Sequence, residues 1–164
     1  MFIVGMLQQF EDKAAKKQNR TPATVVVNSY SDSLKNISSM YERNKNQIIV
    51  NESVLNELNI VELFATVMHE GRHAYQWQQI LNPEKSVEDK ALIDQWKEEF
   101  LNYKQDLANQ NDPKYLTLAI EVDAVAYTAM NMLRLSDMRI QIHPVMKELV
   151  EKRQSELKDK FYNF

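Results

Sequence analysis

A chain of 164 residues with 44% hydrophobic content is long enough for one domain with a buried core and too short for two comfortable ones, so a single domain over 1–164 is expected. The formal net charge is −3 and the basic residues are spread along the chain, which excludes an obvious phosphate-binding face and with it nucleic acid as the default partner. The absence of cysteine excludes disulfides, thiolate metal ligands and a cysteine nucleophile, and leaves the redox compartment open.

Met1 to Leu7 is apolar but short. It has no preceding positive charge and runs into Gln8-Gln9-Phe10-Glu11-Asp12 without a small-residue cleavage site, so it reads as the start of a folded helix and not as a signal peptide. No apolar run approaches the roughly 20 residues that span a bilayer, so a cytoplasmic protein without a membrane partner is expected. Phe2, Ile3, Met6, Leu7, Phe10 and Ala14 keep helical spacing, which predicts an amphipathic helix to about Gln18, closed by Thr21-Pro22. Thr24 to Tyr30 is a β-branched run and the strongest strand candidate, followed by a loop or short turn over 31–36. Ser38 to Arg43 and Gln47 to Val50 flank the polar connection Asn44-Lys45-Asn46, which suits a hairpin. About three strands result, and Glu52 to Leu58 reads as a short connecting helix.

Asn59, with Glu62 three positions on, resembles a capping box that would start a helix at Ile60, and nothing breaks it before Asn82-Pro83. This helix contains His69-Glu70-Gly71-Arg72-His73. Two histidines four apart project from one face, so their imidazoles can converge on one metal ion. Glu70 lies about 100° round the helix, too far to complete the same tight site but close enough to hold a water at the metal, the general-base position of a zinc peptidase. Such a pattern does occur by chance, yet two of only three histidines sit at ligand spacing here. Leu63, Val67, Gly71, Ala74 and Gln78 fall on the side away from the histidines. A glycine in a helix interior costs about 1 kcal/mol relative to alanine, so Gly71 predicts close approach of another backbone.

Ser86 to Ala108 reads as a long charged helix with Val87, Leu92, Ile93, Trp96, Phe100, Tyr103 and Leu107 along one side, as core or cleft wall, ended by Asn109-Gln110-Asn111. Asp112-Pro113 restarts the chain as a helix to about Leu135. Residues 136–143 are ambiguous, and Pro144 opens a last helix from Val145 to Phe161, with Met146, Leu149, Val150 and Leu157 inward. The fold class is therefore α+β and predominantly helical, with a small sheet and a backing helix ahead of the histidine helix. Internal repeats and Gly-rich phosphate loops are absent from the sequence.

Catalytic zinc sites use three protein ligands and an open position, so two histidines need a third group. Candidates are His143 and the acids of the Pro113 helix, chiefly Glu121 and Asp123. On one continuous helix Glu121 shares its face with Leu118, Ala124, Val125, Thr128 and Met132, while Asp123 points about 200° away. A carboxylate on an apolar stripe needs a counter-charge. A metal ion is one; a buried arginine or lysine is another.

His69-Glu70-x-x-His73, followed 48 positions later by Glu121-x-x-Ala124, resembles the gluzincin metallopeptidases, whose third ligand is a glutamate on a second helix. The size is similar to that of the minigluzincins and the compact ImmA/IrrE type. The resemblance covers about Thr24 to Met132 and leaves the 86–108 helix and the last twenty residues unaccounted for. It implies zinc held by His69, His73 and Glu121, with Glu70 as general base and a protein or peptide as substrate. Many gluzincins carry an aspartate four residues after the ligand glutamate to orient a histidine. Here that position is Val125, so Asp123 or a backbone carbonyl must take the role, or metal is held more weakly.

Transition-state charge calls for a further donor. His143 and then Tyr127 come first, with Tyr75 and Arg72 also available. An ordinary capping role before Pro144 fits His143 equally well, and Arg72, about 60° from the histidine face, can instead pair with an acid of the long helix. The strand Gln47 to Val50 is expected to be an edge that pairs with an extended substrate. A different reading keeps the metal as a structural staple in a non-catalytic interaction protein that binds through the aromatic side of the 86–108 helix. Oligomeric state is not legible.

Overall fold

Asn59 and Glu62 exchange the hydrogen bonds of a capping box. Asn59 Oδ1 accepts from the Val61 and Glu62 amides at 2.9 and 3.1 Å, and Glu62 Oε2 accepts from the Asn59 amide at 2.8 Å. The helix they start runs from Ile60 to Leu81, where Asn82-Pro83 stops it. The computed structural model describes residues 2–29, 37–102 and 112–161. In chain order the elements are α1 (Phe2–Lys17), β1 (Thr24–Asn28), β2 (Ser39–Glu42), β3 (Gln47–Asn51), α2 (Val54–Glu57), α3 (Ile60–Leu81), α4 (Lys90–Asn102), α5 (Pro113–Leu116), α6 (Ala119–Ser136) and α7 (Lys147–Phe161). The fold is α+β and predominantly helical, as the sequence implies. The loop expected over 31–36 and the end of the helix expected to reach 108 lie outside the described residues. Among those described, no helix is long and apolar enough to cross a membrane.

The chain divides into two compact units, Met1–Tyr75 and Gln76–Phe164, the division falling within α3. In the first, the sheet order is β1-β3-β2, with β1 parallel and β2 antiparallel to β3. This corrects the expectation that Gln47–Val50 is an edge. β3 is the middle strand, hydrogen-bonded on both sides, and Ile48, Ile49, Val50 and Asn51 are all buried. Strand order depends on which side of the hairpin β1 takes, and that choice leaves no mark in the local pattern. Among the described residues β2 has no strand on its outer side. Asn46 turns the hairpin with φ of 49°, and its Oδ1 accepts from the Tyr41 hydroxyl at 3.0 Å. Burial pushes the Tyr41 phenol up to about 12, against a lowering by Arg20. It therefore stays a donor at any working pH.

α1 lies along β1, and Gln8 joins the two by accepting from the Val25 amide at 2.7 Å and donating to the Ala23 carbonyl at 3.0 Å. Leu7, Val25, Ile48, Val50, Val54, Leu63, Val67 and Ala74 form the core, with Phe10 and Phe64 stacked 4.4 Å apart at its margin. The back of α3 meets a buried ion pair. Arg20 Nη1 and Nη2 donate to Glu11 Oε1 and Oε2 at 2.6 and 2.8 Å, and both side chains are wholly buried. A Cβ on Gly71 would lie 2.7 Å from both Arg20 Nη2 and Glu11 Oε2. The expected close approach at Gly71 is thus real, but it comes from an ion pair and not from another backbone.

In the second unit α4 begins at Lys90, later than Ser86, because Pro83–Lys85 is a 3-10 turn and Ser86 Oγ caps the Glu88 amide at 3.0 Å. Ile93 and Trp96 are its buried positions, while Val87 is 63% exposed. The helix expected from Pro113 to Leu135 is two helices. Thr117 Oγ1 donates to the Pro113 carbonyl at 2.7 Å, Leu118 is extended, and α6 starts anew at Ala119. Leu118 has no side-chain cap to offer. The Glu99 carboxylate of α4 takes that place, accepting from the Ala119 and Ile120 amides at 3.0 and 2.9 Å. α7 follows a 3-10 turn at Pro144–Met146 and buries Val150, Arg153 and Leu157, whereas Leu149, expected inside, is 43% exposed.

The two glycines give opposite expectations. Gly5→Ala, with nothing within 4 Å of the added Cβ, should raise the unfolding free energy by about 0.5–1 kcal/mol. Gly71→Ala should lower it by about 1–3 kcal/mol, because the added methyl forces the buried ion pair apart. Urea unfolding of both variants checks the sign at each position.

Candidate metal centre

α3 carries His69 and His73 on one face, with ring centroids 4.9 Å apart and planes at 87°. His73 is 8% exposed and His69 half-buried. The capping box fixes where this helix begins, and Leu63, Val67 and Ala74 in the core fix which face is turned away from the sheet. Glu70 is buried between these demands at 7% exposure. Its Oε1 accepts from Ser39 Oγ at 2.7 Å, and Ser39 is the first residue of β2, paired in register with Val50. Oε2 of Glu70 accepts no hydrogen bond from the described residues.

Glu121 is the third residue of α6 and 6% exposed. One ligand atom from each of His69, His73 and Glu121 lies within 4.8 Å of the other two. Atoms about 2 Å from a shared ion lie at most about 4 Å apart, so small side-chain rotations suffice to close the group on one cation. Two imidazole nitrogens and a carboxylate oxygen form a borderline donor set that suits zinc and leaves a fourth position for a small ligand. The residues therefore fit a divalent cation of that class.

The apolar stripe expected to set Glu121 apart from Asp123 is not present in α6. Leu118 is not part of α6, and the helix is buried nearly all round, from Ile120 through Thr128 apart from half-buried Val125. Asp123 is even less exposed than Glu121, at 1%. Asp123 Oδ1 accepts from Arg153 Nε at 2.7 Å and Oδ2 from Gln76 Nε2 at 2.8 Å, a buried-cation arrangement, and Glu121 has a ligand atom within 4.8 Å of one on each imidazole.

His143 is exposed, and its Nδ1 accepts from the Val145 amide at 3.3 Å, capping the Pro144–Met146 turn. It is not one of the grouped ligands. Tyr127 is 7% exposed within α6. Arg72 is fully buried, with its guanidinium carbon 3.9 Å from the centre of the Tyr75 ring in a cation–π arrangement. Ser39, Gln76, Glu99 and Arg153 hold the site or the helix beneath it and were not identifiable from sequence. Each acts over a long sequence separation, and none belongs to a motif. No protein-family model, curated protein or solved structure matches this chain.

Metal titration should give about one zinc per chain. His73→Ala and Glu121→Ala are each expected to weaken binding by more than about 100-fold, and His143→Ala to leave it unchanged. Elemental analysis and competition with a chromophoric chelator read both results. Retention of zinc by Glu121→Ala would remove it from the ligand set.

Proposed function

We propose that this chain is a zinc-dependent metallopeptidase that hydrolyses peptide bonds of a protein or peptide substrate, with His69, His73 and Glu121 as ligands and Glu70 as general base. The observation that carries the reading is the approach of two imidazoles and one carboxylate beside a second, buried carboxylate on the same helix. A metal staple needs no such neighbour. A hydrolase does.

When bound, zinc supplies a Lewis acid for the scissile carbonyl and lowers the pKa of a water in its open position. Glu70 takes the proton from the attacking water and delivers it to the leaving nitrogen as the carbon–oxygen bond forms and the carbon–nitrogen bond breaks. Ser39 on Oε1 leaves Oε2 as the oxygen that accepts the proton. Tyr127 and His143 are the donors proposed for developing charge. Of the two, the exposed capping position of His143 makes it the weaker candidate. An extended substrate is best served by the outer side of β2, since β3 is enclosed and Ser39 ties β2 to Glu70.

The alternative of a non-catalytic binder using the aromatic side of the 86–108 helix has less support. Trp96 is fully buried and Phe100 packs edge-on to Trp77 with centroids 5.6 Å apart, so these two aromatics of that side are taken up by the fold.

Glu70→Gln should bind zinc as the wild type does and lose peptide cleavage by about 10²–10⁴-fold. Zinc-loaded protein incubated with a diverse peptide mixture, followed by mass spectrometry of new termini, measures it. Cleavage at the wild-type rate by the glutamine variant, or none by the zinc-loaded wild type, would sink the proposal.

A further inference from the structure

Gln76 is fully buried three residues beyond His73 on the same helix, where an apolar side chain would fill the space without desolvating an amide. A buried primary amide has two N–H groups to place. Here Nε2 donates to the Ile120 carbonyl at 2.9 Å and to Asp123 Oδ2 at 2.8 Å. Those acceptors bracket Glu121, one residue before it and two after. The carbonyl contact fixes the height of the first turn of α6 against this end of α3. The carboxylate contact fixes its rotation. In a helix one residue is 1.5 Å of rise and 100° of rotation, so a slip of a fraction of a residue displaces a ligand oxygen by more than a metal bond tolerates.

The bracket cannot relax by moving its acceptors. Asp123 is held from the other side by Arg153 Nε, and the remaining guanidinium nitrogens donate to Glu88 Oε1 and Glu156 Oε2 at 2.9 and 3.0 Å. Glu99 holds the start of the same turn through the Ala119 and Ile120 amides. We infer that Gln76 is a positioning residue for the metal centre, pinning α6 to α3 so that Glu121 is delivered to the imidazoles; this rests on the reading of His69, His73 and Glu121 as ligands.

Gln76→Met keeps the length of the side chain and removes both donors. Zinc titration should show affinity about 10–100-fold below wild type, and the visible spectrum of the cobalt-loaded protein should differ from wild type in band position. Unchanged affinity and spectrum in a folded variant, with only a lower unfolding midpoint, would reduce Gln76 to a structural role and overturn the inference. A second measurement uses the wild type alone: the Gln76 side-chain amide protons should exchange slowly with solvent and shift when zinc is added. Rapid exchange with no response to zinc overturns the inference even where the methionine variant does not fold. A wild type that binds no zinc removes the ligand reading and this inference together, whereas a wild type that binds zinc alongside an unaffected variant removes only this one.

Discussion

A carboxylate taken out of water must be given donors or a counter-charge, and among the described residues five are buried: Glu11, Glu70, Glu88, Glu121 and Asp123. How each is compensated decides much of the architecture. Glu11 meets Arg20 in a two-pronged pair closed off from solvent. Glu88 and Asp123 share Arg153. Glu70 has one hydroxyl, and Glu121 stands with two imidazoles. The first three are matched by full cations and serve the fold. Glu70 and Glu121 both belong to the candidate metal centre.

α3 shows how fold and site are kept on separate faces of one helix. Its histidines face one way, while Gly71, between them in sequence, lets the Glu11–Arg20 pair approach from behind at a distance no other residue allows. The pair links α1 and the segment after it to the reverse of the helix, and Glu11 Oε1 also accepts from the Ala23 amide at 2.8 Å, just ahead of β1. The back of the motif is thus fixed by directional bonds as well as by the apolar contacts of Leu63, Val67 and Ala74. A helix fixed in this way presents its two imidazoles without depending on a bound ion to order them.

What could be read from the sequence follows from the range over which each signal acts. The α3 boundaries were legible because Asn59, Glu62 and Pro83 act within a turn of the ends they set, and the ligand spacing because it is a property of one helix. The hairpin around Asn46 was legible for the same reason. Strand order was not, since nothing in Gln47–Val50 says that β1 returns to its far side. The break at Thr117–Leu118 was hidden because its cap, Glu99, is twenty residues upstream and on another element. The stripe that points to Glu121 in the sequence is not one α6 has: a helix buried nearly all round carries no facial signal, and Glu121 rather than Asp123 is grouped with the imidazoles through contacts distant in sequence.

Arg153 also bears on what α7 is for. Of the four apolar residues that the sequence offers as the inner side of the last helix, Leu149 is exposed, and α7 is otherwise rich in charged residues. Apolar burial at Val150 and Leu157 is supplemented by a guanidinium whose nitrogens reach Asp123, Glu88 and Glu156. Two of those acids are themselves buried, so detaching α7 would leave Glu88 and Asp123 without that cation in a low-dielectric setting, a strongly unfavourable state. A lid that opens during turnover must separate at low cost, with solvated groups on both sides of the seam. α7 has the opposite character, and the physical reading is of a permanent part of the second unit that keeps Asp123 in place beneath the turn bearing Glu121.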